Sequence, residues 1–364
     1  MERLREAVID ARSHQDKPGG LGCYVLPGGV SDPRAGLDQA RAAERAGMDA
    51  VWIGERYDTK DLPSLAGALS QVTSRVRIGA AVTHTGLRHP MVLASMGQTL
   101  QALSGGRFVL GLGRSANWRW DAYGVPAPTL RTLADSASIL RRLWAGETVS
   151  YEGPAGRFPS LRLPQRIEGE APPLLLAAVG PRTLDVAGES YDGVILHPFL
   201  TVEGVQASVR RVREAAARAG RDPGRVRVAA AVVVAPDATP AEEDLAIRAR
   251  AAGYFSVRGL GDALVRANGW AEGDLAAYRA QPSLTALGDL PADKHLGREE
   301  LAALCAGMPA HWIASSSALG DTEACARRLA EYRAAGADEL ILHGMVGERV
   351  APLAARYAGV RGGR

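Results

Sequence analysis

The chain has 364 residues, 46% hydrophobic and 23% charged, with 43 Lys and Arg against 40 Asp and Glu. That composition supplies a large core and excludes a disordered chain. The net charge of +3 is mixed along the sequence, with no basic stripe and no aromatic-and-basic run, so neither nucleic acid nor a membrane surface is an expected partner.

Residues 1–20 carry charges but no apolar centre of a signal peptide, and read as a polar N-terminal arm. Leu21 to Leu26 is a short apolar strand, broken by Pro27-Gly28-Gly29. Ser31-Asp32-Pro33 offers a capping side chain and an early proline, so a helix is predicted from there to Gly47. Asp49 to Ile53 is the second strand, ending in Gly54-Glu55-Arg56-Tyr57, and Leu62 to Val72 the second helix. Val76 to Thr83 and Arg107 to Leu112 are apolar runs without polar alternation, as in a parallel sheet buried on both faces. The helix between them, His89 to Leu103, sets Val92, Met96, Leu100 and Leu103 near helical spacing.

Asn117 to Thr129 is dense in Trp, Gly and Pro and reads as a loop, followed by a helix from Leu130 to Trp144. Thr148 to Gly153, returning near Arg157-Phe158, reads as a surface hairpin. Pro173 to Ala178, Gly193 to His197 and the long run Val226 to Ala235 are the fifth to seventh strands, with a helix from Thr201 to Gly220. Residues 240–311 show interrupted helical periodicity, an insertion beside the barrel mouth. Asp321 to Gly336 is a helix, Asp338 to His343 the eighth strand, and Val350 to Tyr357 a closing helix. A helix end, a glycine, an Asp and an apolar strand recur at 44–53 and 332–341, and more loosely at 186–196. Repeated αβ units with eight strands imply an α/β fold, a (β/α)8 TIM barrel, as one domain over 21–364 with the insertion after strand 7.

No run approaches the ~20 apolar residues of a membrane helix. Cys23, Cys305 and Cys325 are odd in number and scattered, so they read as free thiols in a reducing cytoplasm. The seven histidines have no metal-binding spacing. Gly111-Leu-Gly113-Arg-Ser-Ala116 fits a dinucleotide fingerprint formally, but loop residues follow where that motif needs a helix to hold a pyrophosphate. Ala178-Val179-Gly180-Pro181-Arg182 joins a buried strand to a helix start, where free amides can hold a phosphate and Gly180 admits close approach. His84, His197 and His343 each end a strand and are candidate acids or bases, and Trp52, Trp118 and Trp120 are candidate pocket walls.

The strand IGAAVT, a loop with Arg-His-Pro, a helix and then GGRFVLGLG resemble the luciferase-like flavin and deazaflavin oxidoreductases, most closely the coenzyme F420-dependent branch. The resemblance implies that Ala178 to Arg182 bind the cofactor phosphate, and that Glu55 contacts its ring. It also implies a bulge with a cis peptide at Ala81-Val82 behind that ring, flanked by the rim tips at Thr83 and at Gly113 and Arg114. Similar proteins commonly place His after the acid, whereas this chain has Arg56, which stays protonated and cannot cycle as acid and base. Glu55, His84 and His197 are therefore the catalytic candidates, and Arg56, Arg114, Arg119 and Arg182 could attract an acidic cofactor tail. The expectation is a cytoplasmic oxidoreductase, with a homodimer as the candidate assembly, moving hydride between coenzyme F420 and a small organic substrate. Alternatives are an FMN monooxygenase on the same fold and a cofactor-free barrel that binds a small molecule or partner.

Overall fold

Short apolar strands that alternate with helices bury both faces when the sheet curls shut, and the chain does this. The computed structural model describes residues 20–28 and 30–362. The predicted arm therefore lies outside the described residues, apart from Gly20, which opens the first strand. In chain order the strands are β1 (Gly20–Tyr24), β2 (Ala50–Ile53), β3 (Arg77–Ala80), β4 (Thr83–His84), β5 (Phe108–Gly113), β6 (Val149–Gly153) and β7 (Gly156–Leu161). They continue with β8 (Leu174–Ala178), β9 (Gly193–Leu196), β10 (Arg227–Pro236), β11 (Ser317–Gly320) and β12 (Glu339–Gly344). Eight of them, β1-β2-β3-β5-β8-β9-β10-β12, pair in parallel in that order, and β12 returns to β1. This is the closed (β/α)8 barrel expected. β6 and β7 form the surface hairpin.

The crossing helices begin where the sequence supplies caps. Asp61 accepts from Ser64 N at the start of Leu62–Val72, and Thr129 caps Leu130–Trp144. Gly47 and Gly336, each just before a strand, stand at φ of 76° and 102°, a region a residue with a side chain rarely enters. Asp32 behaves differently from expectation. It binds the amide and guanidinium of Arg34 instead of capping, and the helix starts at Ala35. On the helix Pro90–Leu103, Met96 and Leu100 are buried, but Val92 and Leu103 face solvent. The buried face is set by Gly97, where an added Cβ would stand 2.7 Å from Trp144 Cζ2.

One expectation is met at the barrel rim and two differences are found there. The third strand is interrupted where the bulge was expected: β3 stops at Ala80, the Ala81–Val82 peptide is cis, and β4 resumes against the end of β5. The stretch after β5 is a helix, Asn117–Tyr123, because Trp120 has an apolar site to fill and is buried there. β10 is long because its far end leaves the barrel to pair with β11, a strand the sequence did not mark.

Between β10 and β11 lies a set of short helices with its own aromatic centre. Trp270 and Trp312 stack 4.8 Å apart, and Phe255 lies 5.1 Å from Trp312. This insertion is tied to the loop after β2 by two ion pairs, Arg56–Asp293 at 3.0 Å and Asp58–Lys294.

Inside the barrel Trp52 is fully buried among Tyr24, Val109, Leu175, Ile195 and Ile341. Its indole donates to Glu339 at 3.0 Å, and Glu339 in turn meets Arg77 at 2.7 Å. Gly22 and Gly79 on the flanking strands leave room for the ring. A Cβ at Gly79 would stand 2.1 Å from Trp52 Cε3. Trp52→Ala is expected to cost about 3–5 kcal/mol in urea unfolding. Gly79→Ala is expected to cost about 1–3 kcal/mol by overcrowding. Combining Gly79→Ala with Trp52→Phe should cost less than the sum of the two, since both act on one space.

Candidate active site

The carboxyl ends of the barrel strands and the insertion enclose a cavity of about 810 Å³. Val82, His84, Gly113, Arg114 and His197 line it together, as does the turn Ala178-Val179-Gly180. Glu55, Ala81, Thr83, Pro181 and Arg182 are not among the lining residues. Arg182 is exposed on the outer side of its helix start.

Glu55 stands behind the wall. Its side chain is 0% exposed. One carboxylate oxygen accepts from Leu62 N at 3.0 Å. The other accepts from Thr83 Oγ1 at 2.9 Å and from Arg88 Nη2 at 2.8 Å. Arg88 also reaches Asp61, the cap of the following helix. These contacts bind the end of β2, the start of a helix and β4 into one unit. The backbone completes it: Glu55 N donates to Val82 O at 3.2 Å, and Tyr24 OH donates to Ala81 O at 3.1 Å.

Gly180 caps the helix Pro181–Ser190 without any side-chain hydrogen bond, and a Cβ placed on it would meet no atom within 4 Å. An uncapped helix start beside open space, with Thr183 from its first turn also in the lining, can receive an anion. Thr183 went unnoticed in the sequence, although a hydroxyl one turn into a Gly-Pro helix start is a readable signal.

The lining carries six arginines and one lysine, with Asp293 the one carboxylate among the described residues there. Arg114 is already held by Pro128 O at 2.8 Å and Asn117 at 2.9 Å. Arg119 lies over Trp118, 5.2 Å from the ring, and its Nε is buried without a partner among the described residues. Trp118 lines the cavity, Trp120 is buried edge-on to His84, and Trp52 is inside the barrel instead of on a pocket wall. Arg56 holds the insertion through Asp293.

His197 Nδ1 is 2.9 Å from Pro198 O, and a carbonyl only accepts, so the proton sits on Nδ1 and Nε2 remains an acceptor. Burial pushes the His197 pKa down to about 4. Burial, with the positive Arg119 and Arg88, pushes His84 down to about 3. His343, at the end of β12, accepts from Arg250 at 3.2 Å and is also held well below the usual range, first by burial. Among the described residues no group of three or more His, Cys, Asp or Glu side chains is arranged to hold a metal. Arg250, Tyr254 and Arg298 line the cavity from the insertion. Arg250 and Tyr254 are four apart on one helix, a spacing visible in the sequence once the insertion is known to cover the mouth.

All three histidines are neutral when folded and take up protons more readily when unfolded. Their contribution to stability is complete above pH 6.5 and is lost as pH falls toward about 4 and about 3. Each should steepen the loss by ~1.4 kcal/mol per pH unit in that window. His84→Gln or His197→Gln, measured by urea unfolding between pH 7 and 4.5, should flatten the slope. An unchanged slope would show that the ring is already charged in the folded protein.

The chain is 34% identical over 195 residues to the 5,10-methylenetetrahydromethanopterin reductase of Methanolobus tindarius, a match covering 52% of this chain and 58% of that protein. The reductase of the same name from Methanopyrus kandleri is 27% identical over 246 residues, 63% and 69% of the two chains. Among solved structures, the coenzyme F420 dependent tetrahydromethanopterin reductase of Methanopyrus kandleri superposes with a TM-score of 0.73 at 21% identity, over 93% of this chain and 97% of that one. An F420-dependent secondary alcohol dehydrogenase follows with a TM-score of 0.70 at 19% identity, over 94% and 99%. A long-chain alkane monooxygenase gives 0.67 at 15%, over 94% and 91%. At these identities the structural likeness is one of fold. The sequence pattern of the luciferase-like monooxygenases, by contrast, matches residues 11–339. With a closed barrel and a cavity at the carboxyl ends of its strands, this chain belongs to the luciferase-like monooxygenase family.

Proposed function

We propose that the protein is an oxidoreductase that uses coenzyme F420, a deazaflavin, to transfer a hydride to or from a small organic substrate. The observation that carries this reading is the charge of the cavity. Six arginines and a lysine against one carboxylate line a cavity that also holds an uncapped helix start, with Arg114 and Arg119 on the neighbouring strand's side, a setting suited to a cofactor with a phosphate and an acidic tail. The relatives support it, since two of the similar structures are of F420-dependent enzymes. The fit also holds sterically, because the open space at Gly180 admits a phosphate.

When bound, the deazaflavin supplies the hydride chemistry, and the chain supplies position, dryness and proton handling. The amides near Val179 and Gly180, with Thr183, hold the phosphate. Val82, Gly113 and Ala178 provide a small-residue seat for the ring, and Ala81 and Thr83 support that seat from behind. Glu55 acts through Thr83 and Arg88 as a positioning residue. His197, neutral with a free Nε2, accepts a proton from a substrate hydroxyl or returns it, and His84 is the second candidate at the rim. Arg114 and Arg119 face the acidic tail, and Pro181 starts the helix that carries the phosphate turn. The proposal includes a cytoplasmic location, supported by three buried free thiols. It also includes pairing of two copies, supported by the exposed Val92 and Leu103 on one helix. Among the described residues no helix is long and apolar enough to cross a membrane.

The test is a fluorescence titration with F420 and with FMN at several salt concentrations. F420 should bind more tightly than FMN, with a preference that shrinks as salt rises. Gly180→Val, whose added atoms enter open space, should leave the melting temperature nearly unchanged. It should weaken F420 by about tenfold or more through lost charge-assisted hydrogen bonds. Arg119→Glu should reduce the preference for F420 while sparing FMN. Equal, salt-insensitive affinities would favour an FMN monooxygenase, and binding of neither cofactor would favour a cofactor-free barrel.

A further inference from the structure

Arginines buried for structural reasons in this chain are satisfied by the fold. Arg77 meets Glu339 at 2.7 Å and Arg88 meets Glu55 at 2.8 Å. Arg107, without a carboxylate, is saturated by the carbonyls of Ser70, Thr73, Val76 and Ser104. Arg250, half-buried, and Arg298, exposed, both in the cavity lining, are not treated this way. Arg250 donates from Nε to Ala246 O at 3.2 Å, shares a side-chain hydrogen bond with Tyr254, and has Nη1 3.2 Å from His343 Nε2. Arg298 donates to Leu245 O. Neither has an ion pair to a carboxylate among the described residues.

They are also crowded by like charge. Arg56 lines the same cavity, and the buried amine of Lys60 lies nearby on Leu26 O. Asp293 is engaged with Arg56, and Lys294 with Asp58. Burial, followed by repulsion from Arg56, lowers the Lys60 pKa to about 8, and Arg298 is lowered by burial and then by Arg250 and Arg56. Positive groups gathered at a cavity mouth repel one another, and an anion between them relieves that repulsion and supplies the oxyanion partner that no carboxylate provides.

Topology separates this cluster from the phosphate turn. Arg250 touches β12 through His343, whose ring lies 4.4 Å from that of Tyr24 on β1, and Arg56 follows β2. In the barrel order β12, β1 and β2 form one arc, whereas Gly180 follows β8, four strands around from β1. Arg114 and Arg119 follow β5, next to β8. The cluster therefore faces the phosphate turn across the barrel mouth, with His197 between the two arcs at the end of β9.

We propose that Arg250 and Arg298, assisted by Arg56, form a subsite for an oxyanion carried by the substrate, a carboxylate or a phosphate, beside the proton-accepting His197. This rests on the oxidoreductase reading only in placing substrate and coenzyme in one cavity. A bidentate oxyanion on two guanidiniums would fix the substrate by a group remote from the reacting carbon, leaving that carbon to be oriented toward His197 and the coenzyme ring.

The test is calorimetric titration of inorganic phosphate, and separately of malonate, into the F420-saturated protein, where the phosphate turn is already filled. Wild type, Arg250→Gln, Arg298→Gln and Arg250→Lys are compared, with melting curves to confirm folding. Either Gln variant should weaken phosphate or malonate by about tenfold, and Arg250→Lys should weaken it less. The tighter of the two anions identifies the substrate group. Binding unchanged in both Gln variants would overturn the subsite. It would also be overturned if the Gln variants weakened F420 but not its tail-free deazaflavin core, because the arginines would then serve the coenzyme. Failure of wild type to bind F420 in the fluorescence titration would defeat the functional reading alone. The subsite would then be tested in coenzyme-free protein, where the Arg250→Gln effect should persist in a Gly180→Val background.

Discussion

A closed barrel is stable only if its interior is filled and every polar group inside it is met, and here one indole is the largest side chain in that interior. Trp52 occupies the room that Gly22 and Gly79 leave, and its N–H meets Glu339. Glu339 also binds Arg77 from β3, so β2, β3 and β12 are joined through one carboxylate inside the barrel. Interiors are packed to crystal-like density, and a side chain this large fixes how closely its neighbours approach. The glycines are needed at those positions because any Cβ there would enter the ring.

The rim uses a second carboxylate in the same way. Glu55 joins the end of β2, the start of Leu62–Val72 and β4 through Thr83 and Arg88. The cavity wall at Val82 and His84 is thereby attached to rigid elements, which suits a site whose contribution is orientation. The insertion meets the loop after β2 through two partly exposed ion pairs, each of modest strength in water. It meets the barrel through Asn268, hydrogen-bonded to Thr201 N and Phe199 O, and through Tyr254 against His197.

The charges divide by where they come from. The helix start at Gly180 and the arginines after β5 belong to the barrel, whereas Arg250 and Arg298 belong to the insertion. The two sets can change independently, because loops beyond a rigid scaffold change at little cost to the fold.

The sequence by itself determined the order of strands and helices. Near-continuous apolar runs, glycine ends and repeated αβ units leave a parallel barrel as the way to bury both faces, so even Leu62–Val72 and Leu130–Trp144 were legible to the residue. It also marked Gly180, because a glycine before Pro at a helix start has local meaning. Tertiary structure decided what each rim side chain faces. Glu55 and Trp52 look like site residues in sequence, yet one is enclosed by Arg88 and Thr83 and the other by the barrel interior. Val92 and Leu103 fit an apolar stripe, yet the packing of Trp144 against Gly97 turned them to solvent. Arg250 and Arg298 could not be told from surface arginines in the sequence, since an arginine in an amphipathic helix is usually a solvated one. Only the docking of the insertion over the mouth, through Arg56 and Asp58, turned them toward a cavity. Local periodicity is a property of neighbouring residues, whereas a site is assembled from contacts between residues hundreds of positions apart, and those contacts exist only once the barrel has closed.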